Sequence, residues 1–132
     1  MSQQDLTADM LTRIRNAVRN KAEIVKCLNS KLNRGVAGVL QSEGYIDAFD
    51  IIDDGRQGVL RVRLRYGPRG EQLINEIHRV SKPGCRRYNK VAELPKPLQG
   101  LGIAVVSTSR GVLSDRQCRQ EGVGGEVVAI VM

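Results

Sequence analysis

The sequence predicts an α+β protein of two small α/β lobes, an N-terminal lobe of helix, strand, helix and hairpin and a C-terminal mixed β lobe with one short helix. Three observations predict it. Apolar residues recur at helical spacing near the start of the chain, they alternate with period two further on, and between the halves stands Gly67-Pro68-Arg69-Gly70, which neither helix nor strand accommodates. This breaker marks a lobe boundary, with residues 1–67 on one side and 68–132 on the other. At 132 residues and 41% hydrophobic, the chain can bury a core without disulfides or a metal to supplement it.

Leu6, Met10, Ile14 and Ala17, flanked by Leu11 and Val18, form one helical stripe. Arg13, Arg15 and Arg19 fall off it, which predicts an amphipathic helix over residues 5–20. Ile24-Val25 is a candidate strand in the linker that follows. Ser30 is the expected N-cap of a second helix carrying Leu32, Val36, Val39 and Leu40, with Gly44 as its left-handed C-terminal cap. Gly35 and Gly38 each weaken that helix by about 1 kcal/mol relative to alanine, so packing must hold it, with a neighbour approaching closely. A strand over residues 45–52, a turn at Asp53-Asp54-Gly55 and a strand over 60–66 make a hairpin. In the second lobe, residues 73–80 are expected to pair with 85–90 across Ser81-Lys82-Pro83-Gly84. Leu94-Pro95-Lys96-Pro97 interrupts regular structure, and Gly100-Leu101-Gly102 leads into a strand at 103–106. Ser114-Asp115-Arg116-Gln117 fits a capping box that opens a short helix closed by Gly122, and 127–131 forms the last strand.

Charge divides unevenly between the halves. The formal net charge is +7, yet residues 1–60 hold eight Lys/Arg against eight Asp/Glu, while 61–132 hold thirteen against six. A basic half beside a neutral one suggests a face for a polyanion, because neutralising phosphates releases their counterions. Cys27, Cys85 and Cys118 are odd in number and far apart, and they form no C-x-x-C pair. They read as small, reduced, buried residues in a reducing interior. Asp5 and Asp9 stand where a signal peptide would need positive charge, and the apolar run 127–132 is too short to span a bilayer. The expectation is a cytoplasmic protein with no membrane partner.

Catalysis finds little to work with. His78 is the only histidine, and it has no nucleophile or metal-ligand set beside it in sequence. The glycines of Gly100-Leu101-Gly102 and Gly122-Val123-Gly124-Gly125 lack dinucleotide-fingerprint spacing, and no G-K-[ST] is present. These absences predict no enzyme, no catalytic residue, no metal and no cofactor. A helix-turn-helix for DNA is disfavoured as well, since the 21–29 linker exceeds the usual short turn.

Recognition is better supported. The apolar run Val105-Val106 leads directly into Ser107-Thr108-Ser109-Arg110-Gly111, three hydroxyls, an arginine and a turn-forming glycine. Each hydroxyl can donate and accept, and such groups suit base edges, sugar hydroxyls and phosphate oxygens of folded RNA. Arg86, Arg87, Lys90 and Lys96 surround Tyr88, which can stack on a base or sugar while its neighbours hold phosphates. With one Phe, three Tyr and no Trp, the chain cannot build a recognition sheet of stacked aromatics, so readout rests on hydroxyls, backbone and shape. Gly124-Gly125 suggests a tight backbone approach, and Glu126 is an acceptor that could orient a loop donor or meet a base amine. Arg61, Arg63 and Arg65 share one strand face, which reads as solvated rather than as a phosphate groove.

Several segments carry a family resemblance in one order along the whole chain. They are Asp9-Met10-Leu11-Thr12-Arg13-Ile14-Arg15-Asn16, Ser30-Lys31-Leu32, Glu43-Gly44-Tyr45-Ile46 and Arg79-Val80-Ser81-Lys82-Pro83-Gly84, followed by residues 100–113 and 122–127. The chain resembles the family of bacterial small-subunit ribosomal protein eight. The resemblance implies two α/β lobes and a structural, non-catalytic protein of the ribosome. It implies direct, primary binding to the central domain of small-subunit ribosomal RNA, which helps that domain assemble. It gives base and sugar contacts to Ser107, Thr108 and Ser109, with Tyr88, Gly124 and Glu126 around them. Arg110, Arg86 and Lys90 join that surface on their charge, and Arg13, Arg15 and Lys31 take phosphate roles in the first lobe. Neighbouring small-subunit proteins are implied partners, and the protein's own messenger RNA is an alternative one. Cys85, Arg87, Gly35, Gly38, Cys118 and the tail Ile130-Val131-Met132 depart from the family's usual pattern.

Overall fold

A computed structural model describes residues 5–132; residues 1–4, with which the first lobe was expected to begin, lie outside the described residues. Helix α1 (Leu6–Arg19) starts where the Asp5 carboxylate accepts from the Ala8 N–H at 3.0 Å, and it buries Met10, Leu11, Ile14 and Val18 along the expected stripe. The candidate strand at Ile24-Val25 extends to β1 (Ile24–Leu28), with Val25 and Cys27 turned inward. Helix α2 (Lys31–Ser42) is capped by Ser30 Oγ, which accepts from Asn33 N–H at 3.1 Å. Its far end closes at Gly44, whose φ of +84° lets its N–H reach Gln41 O while the Tyr45 N–H reaches Leu40 O. Strands β2 (Ile46–Ile52) and β3 (Val59–Leu64) follow, joined by a turn in which Asp54 Oδ1 accepts from the N–H groups of Arg56 and Gly58. The three strands form an antiparallel sheet in the order β1-β3-β2, with Val62 between Val25 and Phe49.

The second sheet corrects one expectation. Strands β4 (Ile77–Arg79) and β5 (Tyr88–Asn89) do not pair with each other as a hairpin; both pair with β8 (Gly125–Val131). Ile77 faces Val131 and Tyr88 faces Glu126, so the two short strands lie end to end along one edge of the longer one. The excursion between them bridges only at Lys82 and Cys85, and buried Ser81 closes it by accepting from the Arg87 N–H at 3.1 Å. Pro83 supplies no donor for a longer ladder, while the edge of β8 needs partners along most of its length. On the other side β8 pairs with β6 (Ile103–Thr108), which pairs with β7 (Gly111–Ser114), giving the order β4-β8-β6-β7 with β5 beside β8. Strand β7 was hidden in the sequence between the hydroxyl loop and the next cap. Helix α3 (Asp115–Glu121) opens with the expected Ser114/Gln117 capping box and ends at Gly122 with φ +70°.

The main core runs from Met10 and Ile14 through Val36, Leu40 and Val62 to Ile103, Val105 and Val131, so α1 and α2 pack against both sheets. On the opposite face of the second sheet, Cys118 of α3 and Leu94 cover Ala104, Val106 and Val127. Polar groups tie the helices down as well. Fully buried Asn33 accepts from Thr7 Oγ1 at 2.9 Å and donates to Leu28 O at 2.9 Å, joining α1, α2 and the end of β1. Asp5, besides capping α1, pairs with the nearly buried Arg79 at 3.0 Å, and Arg79 donates onward to Val128 O.

The two glycines of α2 differ. A Cβ on Gly35 would lie 2.4 Å from Val112 Cγ2, the close neighbour expected from the sequence, whereas one on Gly38 would meet nothing within 4 Å. The cysteines differ too, and Cys85 corrects the expectation that all three are buried: it lies exposed in the 81–87 excursion. Burial pushes the Cys27 thiol up to about 11 and the Cys118 thiol up as well.

Two outcomes follow for stability and thiol access. Gly35→Ala should lower the urea-unfolding free energy by about 1–3 kcal/mol through overpacking against Val112, while Gly38→Ala should raise it by about 0.5–1 kcal/mol through better helix propensity. Equal effects of the two substitutions would contradict the packing. A disulfide reagent should titrate one thiol, Cys85, in the native protein and all three after unfolding.

Candidate nucleic-acid interface

The apolar alternation of β6 ends where its side chains leave the core, and there the chain reverses through Ser109 and Arg110 into β7. Thr108 holds this tip: its Oγ1 donates to Gly111 O at 2.7 Å and accepts from the Arg110 N–H at 3.0 Å. Gly111, at φ +106°, supplies the backbone angle that the reversal requires. Among the described residues the hydroxyls of half-buried Ser107 and exposed Ser109 have no hydrogen-bond partner. The tip is therefore a rigid turn with two hydroxyls left for a ligand.

The sheet places the other candidates beside it. Val112, Ser107, Glu126 and Tyr88 face one another in turn across β7, β6, β8 and β5, so their side chains stand in a row on one face. Tyr88 is 71% exposed, with its ring free to stack. Glu126 accepts from Ser81 Oγ and, at 3.0 Å, from Arg86. Ser81 already accepts from the Arg87 N–H, so its own proton points to Glu126. Burial raises the Glu126 pKa, but the Ser81 and Arg86 hydrogen bonds and the charges of Arg86 and Arg79 outweigh it, holding the carboxyl below its ordinary value. The carboxylate thus steadies Arg86 next to Tyr88.

Close backbone approach makes this row possible. A Cβ on Gly124 would lie 2.4 Å from Asn89 O and 2.9 Å from the Cα of Lys90, and one on Gly125 would lie 2.2 Å from Ser107 O. Lys90 is exposed where β5 leaves the row. From the other lobe, Lys31 and Leu32 in the first turn of α2 line a recess with Ser107, Thr108, Ser109 and Val112.

Arg110 belongs to the tip, while the remaining candidates lie apart from it. Arg110 points along the tip to Glu121 at 3.3 Å. Arg13 pairs with Asp9 at 2.8 Å and reaches Lys26 O, away from the loop. Arg15 donates to Ile77 O between α1 and β4. Arg61 and Arg65 sit on the outer face of the three-stranded sheet with Asp50 and Asp47, a solvated arrangement as expected. Sequence reasoning missed Ser81, Arg79 and Leu32 as contributors. A serine before Lys-Pro-Gly looks like any turn residue, and only the pairing of β8 reveals its burial.

Hydroxyls, guanidinium groups and one open aromatic ring, arranged around glycines on a basic sheet, define a binding protein whose surface fits nucleic acid. The family model described as Ribosomal protein S8 matches residues 5–132. The chain is 50% identical over 131 residues to small ribosomal subunit protein uS8 of Streptococcus suis strain 05ZYH33, covering 99% of each chain. It is 51% identical over 131 residues to the protein of the same name from Streptococcus pneumoniae strain Hungary19A-6, again over 99% of each. The chain belongs to the ribosomal protein S8 family, a family of structural, non-catalytic proteins that bind ribosomal RNA.

The Glu126 cluster gives the interface a pH dependence. Because the folded carboxyl titrates below its ordinary 4.5, its stabilisation is full above that pH and is lost as the pH falls through the lowered value. Urea unfolding of wild type and Glu126→Gln between pH ~3 and ~7 should show a stability difference that shrinks in acid; a difference independent of pH would contradict the assignment.

Proposed function

We propose that this protein is a structural constituent of the small ribosomal subunit, acting in the cytoplasmic ribosome as a primary binder of the central domain of its ribosomal RNA. The carrying observation is the hairpin tip, where Thr108 braces the turn and leaves the Ser107 and Ser109 hydroxyls without a partner among the described residues, beside Tyr88 and Glu126. Regular A-form RNA presents a shallow minor groove with little sequence information, so a braced pair of hydroxyls discriminates best on an irregular internal helix with bulged or tripled bases. Arg86, Lys90 and Lys31 supply the salt-dependent attraction, while the hydroxyls supply the selection. Affinity and specificity thus come from different side chains. Early docking of such a rigid surface on the central domain helps that RNA reach its assembled shape, with neighbouring ribosomal proteins binding the composite. Because the tip reads a local helix shape, a hairpin of the same shape in the protein's own messenger RNA is a second ligand for the same surface.

Binding to the irregular central-domain helix, measured beside a regular duplex of equal length at about 150 mM salt, tests this reading. Tight binding to the irregular helix alone is expected, and Ser109→Ala should weaken it by about 1–3 kcal/mol, the cost of a buried RNA partner left unpaired. Equal affinity for both RNAs would reduce the protein to a basic surface. Arg86→Ala should weaken both RNAs and lower the salt slope by about 1; an unchanged slope removes Arg86 from the phosphate contacts.

A further inference from the structure

We propose that Ser81 is a positioning residue of the RNA face, its buried hydroxyl fixing where Arg86 and Tyr88 stand relative to the hydroxyl tip and so setting selectivity for one RNA shape without adding charge. The inference rests on the RNA-binding reading above and assigns part of its specificity to a side chain that touches no ligand. Most buried polar side chains among the described residues serve the fold alone. Thr7 and Asn33 join α1 to α2, Asn29 holds Gln57 and Arg34, and Ser114 and Asp115 fasten α3. Ser81, with no exposed surface, is the one among them that bonds a side chain of the interface.

Its place in the sheet explains why a hydroxyl is needed there. At Val127 the edge of β8 passes from the line of β4 to that of β5: the Val127 carbonyl accepts from the Ser81 N–H at 3.1 Å, and the Val127 N–H donates to Arg87 O at 2.9 Å. Residues 82–86 leave the sheet between these two bonds as a reversal that closes on itself, Lys82 and Cys85 exchanging backbone hydrogen bonds at 3.0 and 2.9 Å. Ser81 Oγ spans the splice, accepting from the Arg87 N–H at 3.1 Å and donating to Glu126 Oε2. Arg87 is thereby held at both its N–H and its carbonyl, and its chain neighbours are Arg86 and Tyr88. The same Glu126 oxygen receives Arg86 at 3.0 Å. One hydroxyl, used as acceptor and donor at once, thus places the backbone before Tyr88 and the carboxylate that holds Arg86. Without it Arg86 keeps its charge but loses its fixed position.

The surroundings of Glu126 make this contact readable by pH. Burial raises its pKa, while the hydrogen bond from Ser81, the hydrogen bond and charge of Arg86 and the charge of Arg79 on β4 lower it; Tyr88 of β5 and Asp5 before α1 act on Arg86 in turn. Removing the Ser81 hydroxyl lets the carboxyl take up its proton at a higher pH than in wild type, and Arg86 is released there.

Anisotropy titrations with the irregular central-domain helix and a regular duplex of equal length, at about 150 mM salt, test the role. Ser81→Ala should weaken binding to the irregular helix about tenfold and leave the regular duplex within about twofold, with the salt slope on both RNAs as in wild type because no charge is removed. Between pH ~7 and ~5 the wild-type preference for the irregular helix should hold, while that of the variant falls further in acid. Ser81→Cys, whose thiol donates and accepts weakly, should fall between the two, and it carries the same test if the alanine variant does not fold. Equal weakening of both RNAs or an unchanged preference overturns the role. A lowered preference as indifferent to pH as the wild type's also overturns it, since Ser81 then serves the fold alone. Ser109→Ala separates the two readings: if it weakens the irregular helix while the Ser81 variants do not, only the positioning role fails, whereas wild type binding both RNAs equally ends the RNA reading and the role together.

Discussion

Gly124 and Gly125 stand where a side chain would collide with the backbone of β5 on one side and of β6 on the other, and the face they carry has its shape from that contact. A methyl group at either position would force the sheet apart at the level of Tyr88, Glu126 and Ser107, the three residues whose alignment makes a surface out of separate strands. The same closeness lets Glu126 reach Ser81 and Arg86 across the edge of the sheet. Charge, hydroxyls and ring are thus held at fixed spacing by main-chain packing, which is stiffer than any arrangement of long side chains.

The first lobe contributes more than charge balance. Asn33 ties the starts of α1 and α2 to the end of β1, and Asp5 ties the start of α1 to Arg79 and through it to the β8 carbonyl at Val128. Lys31 and Leu32 reach the recess beside the tip because α2 begins there, anchored by those bonds. The basic excess in the second half of the sequence therefore understates the face, since a neutral lobe places one of its lysines beside the tip.

Helix ends were legible in the sequence because their chemistry is local. Ser30, the Ser114/Gln117 box, Gly44 and Gly122 each act within four residues, and each takes the expected role. The period-two run at 60–66 and the apolar run before the hydroxyls were legible for the same reason. Partner choice was not. Residues 73–80 and 85–90 satisfy hairpin rules, yet each found a better edge on β8, more than thirty residues away in sequence, and nothing in their own composition specifies that edge. Ser81 and Cys85 followed that choice, one turned inside and one left in solvent. Of the candidate site residues, those on the C-terminal sheet and Lys31 came together, while Arg13 and Arg15 depended on helix rotation and docking that a stripe of apolar residues defines only roughly.

Val112 links two jobs that the sequence keeps apart. It stands in the same row as Ser107 and also fills the notch left by Gly35, so the hairpin that carries the tip leans on the helix of the other lobe. A hairpin braced on one flank only would swing about its base; this one is wedged. The seat of the hairpin on α2 and the aim of the hydroxyls are consequently one variable, and a ligand that grips the tip also bears on the contact between Val112 and Gly35.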